Sequence, residues 1–428
     1  MSTLFAILIA ASLATPEASR SAELERLQLL VNEGQLDEAQ RGYQAIAGAD
    51  PKDLESRIAL ARIYRWTGRT LASRSVAAEA VALAPDRSDA RAELAWSSAS
   101  AGLPMRARDE LGAAALPPND LRERLTALQR PAVTVSSVLS DDSNGVSRLA
   151  TRLTADFALP EDARLVLGAG ESHLAQGDSR LDHRLLGLSA TLPLDRLRLS
   201  GTYVLHQGTG TIAHEVSGSL GLQIWDGYAI ALGVRHRPFI ETADSLATDD
   251  RAFYGAGAGG ALQPDQLQWL SVDEVKLSVQ LAPVSSLFSY GEGRVFRTGD
   301  SNQGWSAAGG IGLNLVRLVS APWPVELYLR WDAYLTGFAN QMPTYFSPSF
   351  QDGQSPGLDL RLHLGDRVLL GAEGGRTFAL FSDARGGWFG GGQLQLQFAR
   401  FTAAVHGQIR DDPWYGSRRL WISLRTEL

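Results

Sequence analysis

The chain has 428 residues, 44% hydrophobic and 20% charged, with a formal net charge of −7 and no cysteine. That balance fits two or three ordinary domains and excludes a disordered or disulfide-stapled protein. The acidity argues against a nucleic-acid partner, and the missing thiols remove cysteine nucleophiles, iron–sulfur clusters and thiolate zinc sites.

In chain order, the first feature is the apolar run Leu4–Ala14. It is shorter than the roughly 20 apolar residues that a membrane helix needs. Ser12-Leu-Ala14 supplies small residues for cleavage, and Thr15-Pro16 breaks the run. The expectation is a signal peptide over 1–19, its n-region lacking Lys and Arg.

Over 20–128 a period appears. Gly34, Gly68 and Gly102 stand 34 residues apart, and so do Pro51 and Pro85. Ala39 and Tyr43 follow the first Gly, Ala77 and Ala80 the second, Ala107 and Leu111 the third, while Leu60, Ala61 and Tyr64 precede the second at helical spacing. The pattern resembles the tetratricopeptide repeat, in which Gly turns the chain between two helices and small residues sit where they cross. About three repeats form a short solenoid, whose chemistry is that of a docking surface. Arg62, Arg65 and Arg69 are its candidate partner contacts, with a solvated face as the simpler alternative.

After Arg130-Pro131 the period changes from about 3.6 to 2 and stays there over 131–428. In Leu358-Asp-Leu-Arg-Leu-His-Leu364 every second residue is Leu and those between are polar, and Gln393–Phe398 repeats the pattern. The segments 132–140, 148–159, 163–173, 184–194, 196–206, 213–224, 227–237, 269–282, 285–297, 303–316, 324–337, 356–365, 367–379, 387–398, 400–410 and 418–427 read as strands. Sixteen segments of this length are those of a transmembrane antiparallel barrel. Connections alternate between tight ones (Asp195, Trp225-Asp226, Asp366, Ala399) and longer ones at 141–147, 174–183, 207–212, 238–268, 338–355, 380–386 and 411–417. Short turns on one rim and long loops on the other are the outer-membrane arrangement. Trp225 and Trp323 fall at the tight-turn ends, Trp269, Trp305, Trp388 and Trp414 at the long-loop ends, as two interfacial girdles would require. A soluble sandwich is the rival, but its second core would have to bury polar faces at a few kcal/mol per unpaired group.

Motifs for catalysis are weak. Gly255-Ala-Gly257-Ala-Gly-Gly260 matches a dinucleotide fingerprint only on paper, because no βαβ context surrounds it. Seven scattered His make no metal pair, so neither a cofactor nor an enzymatic activity is expected. With the aliphatic series turned to lipid, the inward set holds Arg152, Arg198, Arg235, Arg237, Glu292, Arg294, Tyr328, Arg330, Asp332, Tyr334, Asp359, Arg361, His363, Glu373, Arg410 and Arg425. Both signs interleave, which suits polyhydroxylated chains better than a one-sign ion filter. The alternative is that these charges pair to brace the wall.

A helical repeat domain joined to a sixteen-stranded barrel resembles the exopolysaccharide secretins of Gram-negative bacteria: the cellulose-secretion outer-membrane subunit and the poly-N-acetylglucosamine and Pel exporters. Thr344-Tyr-Phe-Ser-Pro-Ser-Phe350 is similar to a loop motif of the cellulose-secretion barrel, and Gly299-Asp-Ser-Asn302 with the Gly-rich strand after it to another part of its pattern. Three repeats are fewer than such exporters usually carry. The resemblance implies passive export of a biofilm polysaccharide through the lumen. A gating loop would carry Tyr345, Phe346, Ser347, Pro348 and Phe350, and periplasmic repeats would dock an inner-membrane synthase or periplasmic proteins. A general small-solute porin and a membrane-anchored assembly scaffold are the competing readings.

Overall fold

In the computed structural model the described residues are 16–112, 119–142, 146–176, 179–208, 211–238, 271–284, 286–299, 301–318, 324–340, 350–365, 367–381, 386–411 and 416–428. The chain divides into two compact units, Met1–Leu125 and Thr126–Leu428. The run Leu4–Ala14 and the Gly255–Gly260 motif lie outside the described residues.

Seven helices precede the strands among the described residues: α1 (Pro16–Asn32), α2 (Leu36–Ala49), α3 (Leu54–Trp66), α4 (Thr70–Leu83), α5 (Ser88–Ser100), α6 (Pro104–Leu111) and α7 (Asn119–Gln129). Their hairpins repeat atom for atom at the turns. Gly34, Gly68 and Gly102 have φ of 78°, 77° and 79°. At each, the Gly N–H and the next N–H reach back to the preceding helix, Gly68 to the Arg65 carbonyl and Arg69 to the Tyr64 carbonyl, with the same pair at Gly34/Gln35 and Gly102/Leu103. This is a Schellman ending, and its left-handed residue favours glycine. The repeat extends to the crossing points, where Ala39, Ser73 and Ala107 are all fully buried. Sequence reading placed Ala77 and Ala80 after the second Gly. Both are buried, but the residue in phase with Ala39 and Ala107 is Ser73, whose hydroxyl donates to the Ala61 carbonyl at 2.7 Å. Leu27, Tyr43, Leu60, Ile63 and Tyr64 form the main apolar cluster of this unit.

The sixteen expected strands are all present: β1 (Ala132–Asp142), β2 (Val146–Ala158), β3 (Arg164–Gln176), β4 (Ser179–Leu194), β5 (Leu197–Gly208), β6 (Thr211–Trp225), β7 (Tyr228–Pro238), β8 (Ser271–Val284), β9 (Leu287–Thr298), β10 (Gln303–Leu318), β11 (Val325–Phe338), β12 (Gln351–Leu364), β13 (Val368–Thr377), β14 (Gly387–Phe398), β15 (Phe401–Asp411) and β16 (Gly416–Glu427). Each pairs antiparallel with its neighbours, and β1 pairs β16 from Ala132↔Glu427 to Asp142↔Ser417, closing the barrel. The Leu428 N–H donates to the Pro131 carbonyl and Arg130 pairs with Glu427, so both ends of the barrel meet on one rim, here the terminal rim.

Several boundaries differ from expectation. The long connections expected at 141–147, 174–183 and 207–212 shrink to 143–145, 177–178 and 209–210 because β1 to β6 run further. Beyond the lipid belt both faces of a strand meet water, so the alternation that marks a strand fades while the ladder continues. β12 starts at Gln351, not 356, with Pro356 inside it. Proline cannot donate to a ladder, and the β12–β13 pairing indeed begins at Gly357↔Gly375, resuming beyond the gap as the bridge Gln354↔Phe378 in the same register.

Outward residues are aliphatic and exposed along the staves, among them Leu153, Leu188, Leu220, Leu277, Ile311, Leu358 and Ile422. Trp225, with Tyr228 edge-on at 5.8 Å, stands at the terminal rim, and Trp305 and Trp388 stand toward the opposite one. Trp269, Trp323 and Trp414 lie outside the described residues. No helix among the described residues is long and apolar enough to cross a membrane.

Two outcomes follow. Gly68→Ala puts a Cβ into a left-handed residue at a cost of about 1 kcal/mol, so the 222 nm melting transition of the full chain should fall by a few degrees. Leu358→Arg places a charge on the lipid face, where it should destabilise by roughly 2–4 kcal/mol, read as a lower urea midpoint of the folded barrel in phospholipid vesicles.

Candidate functional site: the inner wall of the barrel

Because side chains alternate across a strand, the exposed aliphatic positions fix which residues face inward. All sixteen residues expected on the inner face lie on it. Arg152 and Arg198 stand exposed there, on β2 and β5. The others are arranged in groups set by strand register.

The largest group spans β9 to β15. Arg330 donates to Asp332 at 3.2 Å and approaches Glu373 at 3.5 Å and Asp359 at 3.9 Å, so one guanidinium serves carboxylates on three strands. Arg361 donates at 2.8 Å to the same Asp359 Oδ2 that Arg330 approaches, and lies 5.1 Å over the Tyr328 ring. The Tyr290 hydroxyl donates to Asp332 at 2.8 Å and the Gln408 amide to Glu373 at 2.9 Å. Arg410, buried, donates to Ser355 and lies 5.6 Å over Phe389. His363 is half-buried on the same face of β12 and Tyr334 faces Gly353 across the register.

A second group lies toward the opposite rim on β7 to β9. Arg237, fully buried, approaches Glu274 at 3.6 Å; Arg294 pairs with Glu292 and approaches Glu274 at 3.9 Å. Beside it, Arg235 donates to Glu215 at 2.8 Å, Glu215 faces His206 at 3.5 Å, and His206 stacks on His183 with nitrogens 3.0 Å apart. Near the terminal rim, Asp156 takes Arg164 at 3.0 Å and Arg425 at 3.9 Å. In these groups opposite charges are paired in the plane of the sheet, so the field along them alternates in sign over a few ångströms.

Sequence reading missed Phe288, Tyr290 and Phe389 on the inner face, although Phe288 and Tyr290 share the phase of Glu292 and Arg294. It also missed the buried set Arg148, His183, His206 and Glu215. Charged residues dominate the expected set, whereas strand phase identifies all of these positions.

The remaining candidates fall elsewhere. Tyr345, Phe346, Ser347 and Pro348 lie outside the described residues. Phe350 is 41% exposed, its ring 6.4 Å from the outward Trp305 and 6.3 Å from Phe381, whose N–H donates to Asp352. In the helical unit, Arg65 is engaged within the fold, donating to the buried Glu93 at 2.8 Å and lying 5.1 Å over Trp96. Arg62 reaches the same Glu93 at 3.4 Å, and Arg69 lies over Tyr64 and donates to Gln40. These arginines tie neighbouring helices together. Among the described residues no group of three or more His, Asp or Glu could hold a metal ion.

No family model matches the chain, and no curated protein matches it. Among solved structures, a bacterial polysaccharide outer membrane secretin aligns with 70% of this chain and 99% of its own at 11% identity and a TM-score of 0.54. BamA from Haemophilus ducreyi lacking POTRA domains 1–3 aligns at 10% identity, covering 70% of each chain, with a TM-score of 0.37. The CymD monoaromatic hydrocarbon channel aligns at 11% identity over 71% of this chain and 90% of that one, with a TM-score of 0.35. At these identities the likeness is one of fold, and only the first is close enough to bear on this chain. The class is an antiparallel sixteen-stranded barrel, similar in fold to an outer membrane secretin and preceded by a helical unit.

The Arg330 network gives a measurable consequence. Arg330→Ala leaves Asp332, Asp359 and Glu373 short of a counter-charge, so the reversal potential in a salt gradient across a planar bilayer should shift toward cation selectivity. Asp332→Ala should move it the other way. An unchanged potential in both would mean that these residues do not face a conducting lumen.

Proposed function

We propose that the chain is an outer-membrane channel for passive export of a nascent exopolysaccharide. The single observation that carries this reading is the chemistry of the inner wall. A polymer of hydroxyls crossing a pore needs many exchangeable hydrogen-bond partners and no deep electrostatic trap. Carboxylates and guanidiniums that already satisfy one another offer the first and avoid the second, since a paired charge still accepts or donates at its outer lone pairs or N–H groups. The secretin likeness supports the same reading, because nearly the whole of that barrel finds an equivalent here.

In this reading residues 1–19 are a signal peptide, 20–128 a periplasmic tetratricopeptide-like domain and 131–428 the barrel. The 34-residue recurrence of Gly φ angles and turn hydrogen bonds supports the repeat assignment. The terminal rim is then periplasmic and the opposite rim faces outside. Polymerisation at the inner membrane pushes the chain, and the repeats dock the synthase or periplasmic proteins, with the outward faces of Arg62 and Arg69 at the contact. The segment with Tyr345 to Phe350 gates the exit. Deleting the gene while leaving the synthase intact should abolish surface polysaccharide and retain polymer in the periplasm. Undiminished surface polysaccharide would overturn the proposal. Uptake of small sugars that is lost with the gene would then favour a solute channel.

A further inference from the structure

Among the described residues, Phe, Tyr and Trp on the inner face occur on β9, β11 and β14, apart from Trp421 on β16. Their placement is not random across the register. Phe288 faces Gly312, Tyr290 faces Gly310, and Gly304 is flanked by Phe296 and Phe338. Tyr334 faces Gly353, and Phe389 faces Gly375, itself paired with Gly357. Each of these rings therefore points at a neighbour with no side chain and lies down on the sheet, whereas Tyr328 faces Asn314 and Asp359. A Cβ added at Gly310 would meet the Tyr290 ring at 2.6 Å, one at Gly375 would meet the Phe389 ring at 2.6 Å, and one at Gly353 would clash with the hydroxyl-bearing edge of the Tyr334 ring.

Two physical roles fit a ring laid over glycine. It shields the peptide backbone, as aromatic cover of strand glycines does, and it turns a flat apolar surface along the wall. The second role is set apart here by location. The rings run from Phe288 near the terminal rim, through Tyr290 and Tyr334, to Phe389 toward the other rim, all on one side of the barrel. Tyr290 remains 39% exposed while lying over Gly310. Between the rings lie the paired Arg330, Asp332 and Glu373, which supply hydrogen bonds and leave that guanidinium no excess positive charge to offer.

We propose that the inner face of β9 to β14 is a one-sided stacking track for a linear, neutral pyranose glycan. Sugar rings with C–H faces rest on the aromatic rings, and their equatorial hydroxyls exchange bonds with the flanking charges. A polyanionic glycan gains nothing, because each guanidinium along the track already faces a carboxylate. The polymer class rests on the export reading, whereas the track itself is tested separately.

Cellohexaose is the probe, titrated calorimetrically into the full-length protein in detergent. Tyr290→Leu with Tyr334→Leu keeps an apolar cover over both glycines but removes the aromatic faces. Its affinity should fall roughly tenfold or more, the scale of two lost stacking contacts. Ser200→Ala with Ser219→Ala, which removes a 2.6 Å hydroxyl pair from the opposite wall, should leave affinity unchanged. Hexagalacturonate should bind the wild type at least tenfold more weakly. Heat-modifiable gel migration checks that each variant is folded, and the single Tyr290→Leu variant replaces the double one if it is not. Wild-type affinity in the leucine variant, equal loss in the serine variant, equal binding of the polyanion or no cellohexaose binding overturns the track. If gene deletion spares surface polysaccharide while binding depends on Tyr290 and Tyr334, the export reading falls and the track stands.

Discussion

Hydrocarbon offers the backbone no hydrogen-bond partners, and that constraint governs the barrel. Every N–H and C=O within it must find its complement inside the sheet, and a sheet can do so only by meeting its own edge. The pairing of β1 with β16 along the full length of β1 answers that requirement. Once the sheet is closed, the pleat assigns each residue to lipid or lumen with no third choice. Leu358, Leu360 and Leu362 then face outward, while Asp359, Arg361 and His363 have to be accommodated inward. The polar wall is therefore a consequence of closure as much as of function, and its charges are tolerable because water and opposite charges are both at hand.

That constraint also explains what the amino-acid order makes readable. Lipid imposes a strict two-residue rhythm, so sixteen segments stand out and their inward residues can be counted off by phase. Strand ends do not stand out, since the rhythm is enforced only across the belt and β4 runs on to Ser179 where both faces are wet. Pro356 and the glycines beside it disguised the start of β12, because the gap they leave is supported by the Gln354–Phe378 bridge, a contact between different strands. The partners of Arg330 were equally hidden. Glu373 is not on an adjacent strand, and only the stagger of β11, β12 and β13 brings it within 3.5 Å.

The helical unit was legible for a different reason. A turn that needs positive φ leaves glycine as a mark at a fixed interval, so Gly34, Gly68 and Gly102 give the period directly. The small residue at the helix crossing is less tightly constrained in kind. Alanine fills it twice, and at position 73 serine fills it by turning its hydroxyl to the Ala61 carbonyl. The arginines that looked solvent-facing were misleading for the same reason: Glu93 comes from two helices further on, and its burial between Arg62 and Arg65 could not be read from either segment alone.

The seam has a further consequence for how the molecule comes into being. Fifteen of the barrel's pairings join neighbours in the chain and can form as soon as both partners have been made. The sixteenth joins β1 to β16, so the cylinder cannot close until β16 is in place. Loop-closure entropy and slow non-local pairing make that single late event the bottleneck. The packing of the helical unit joins helices adjacent or one apart in the chain, so it does not wait on that event. Until the seam closes, the strands form an open, greasy ribbon behind the smaller helical unit, and that ribbon needs an escort.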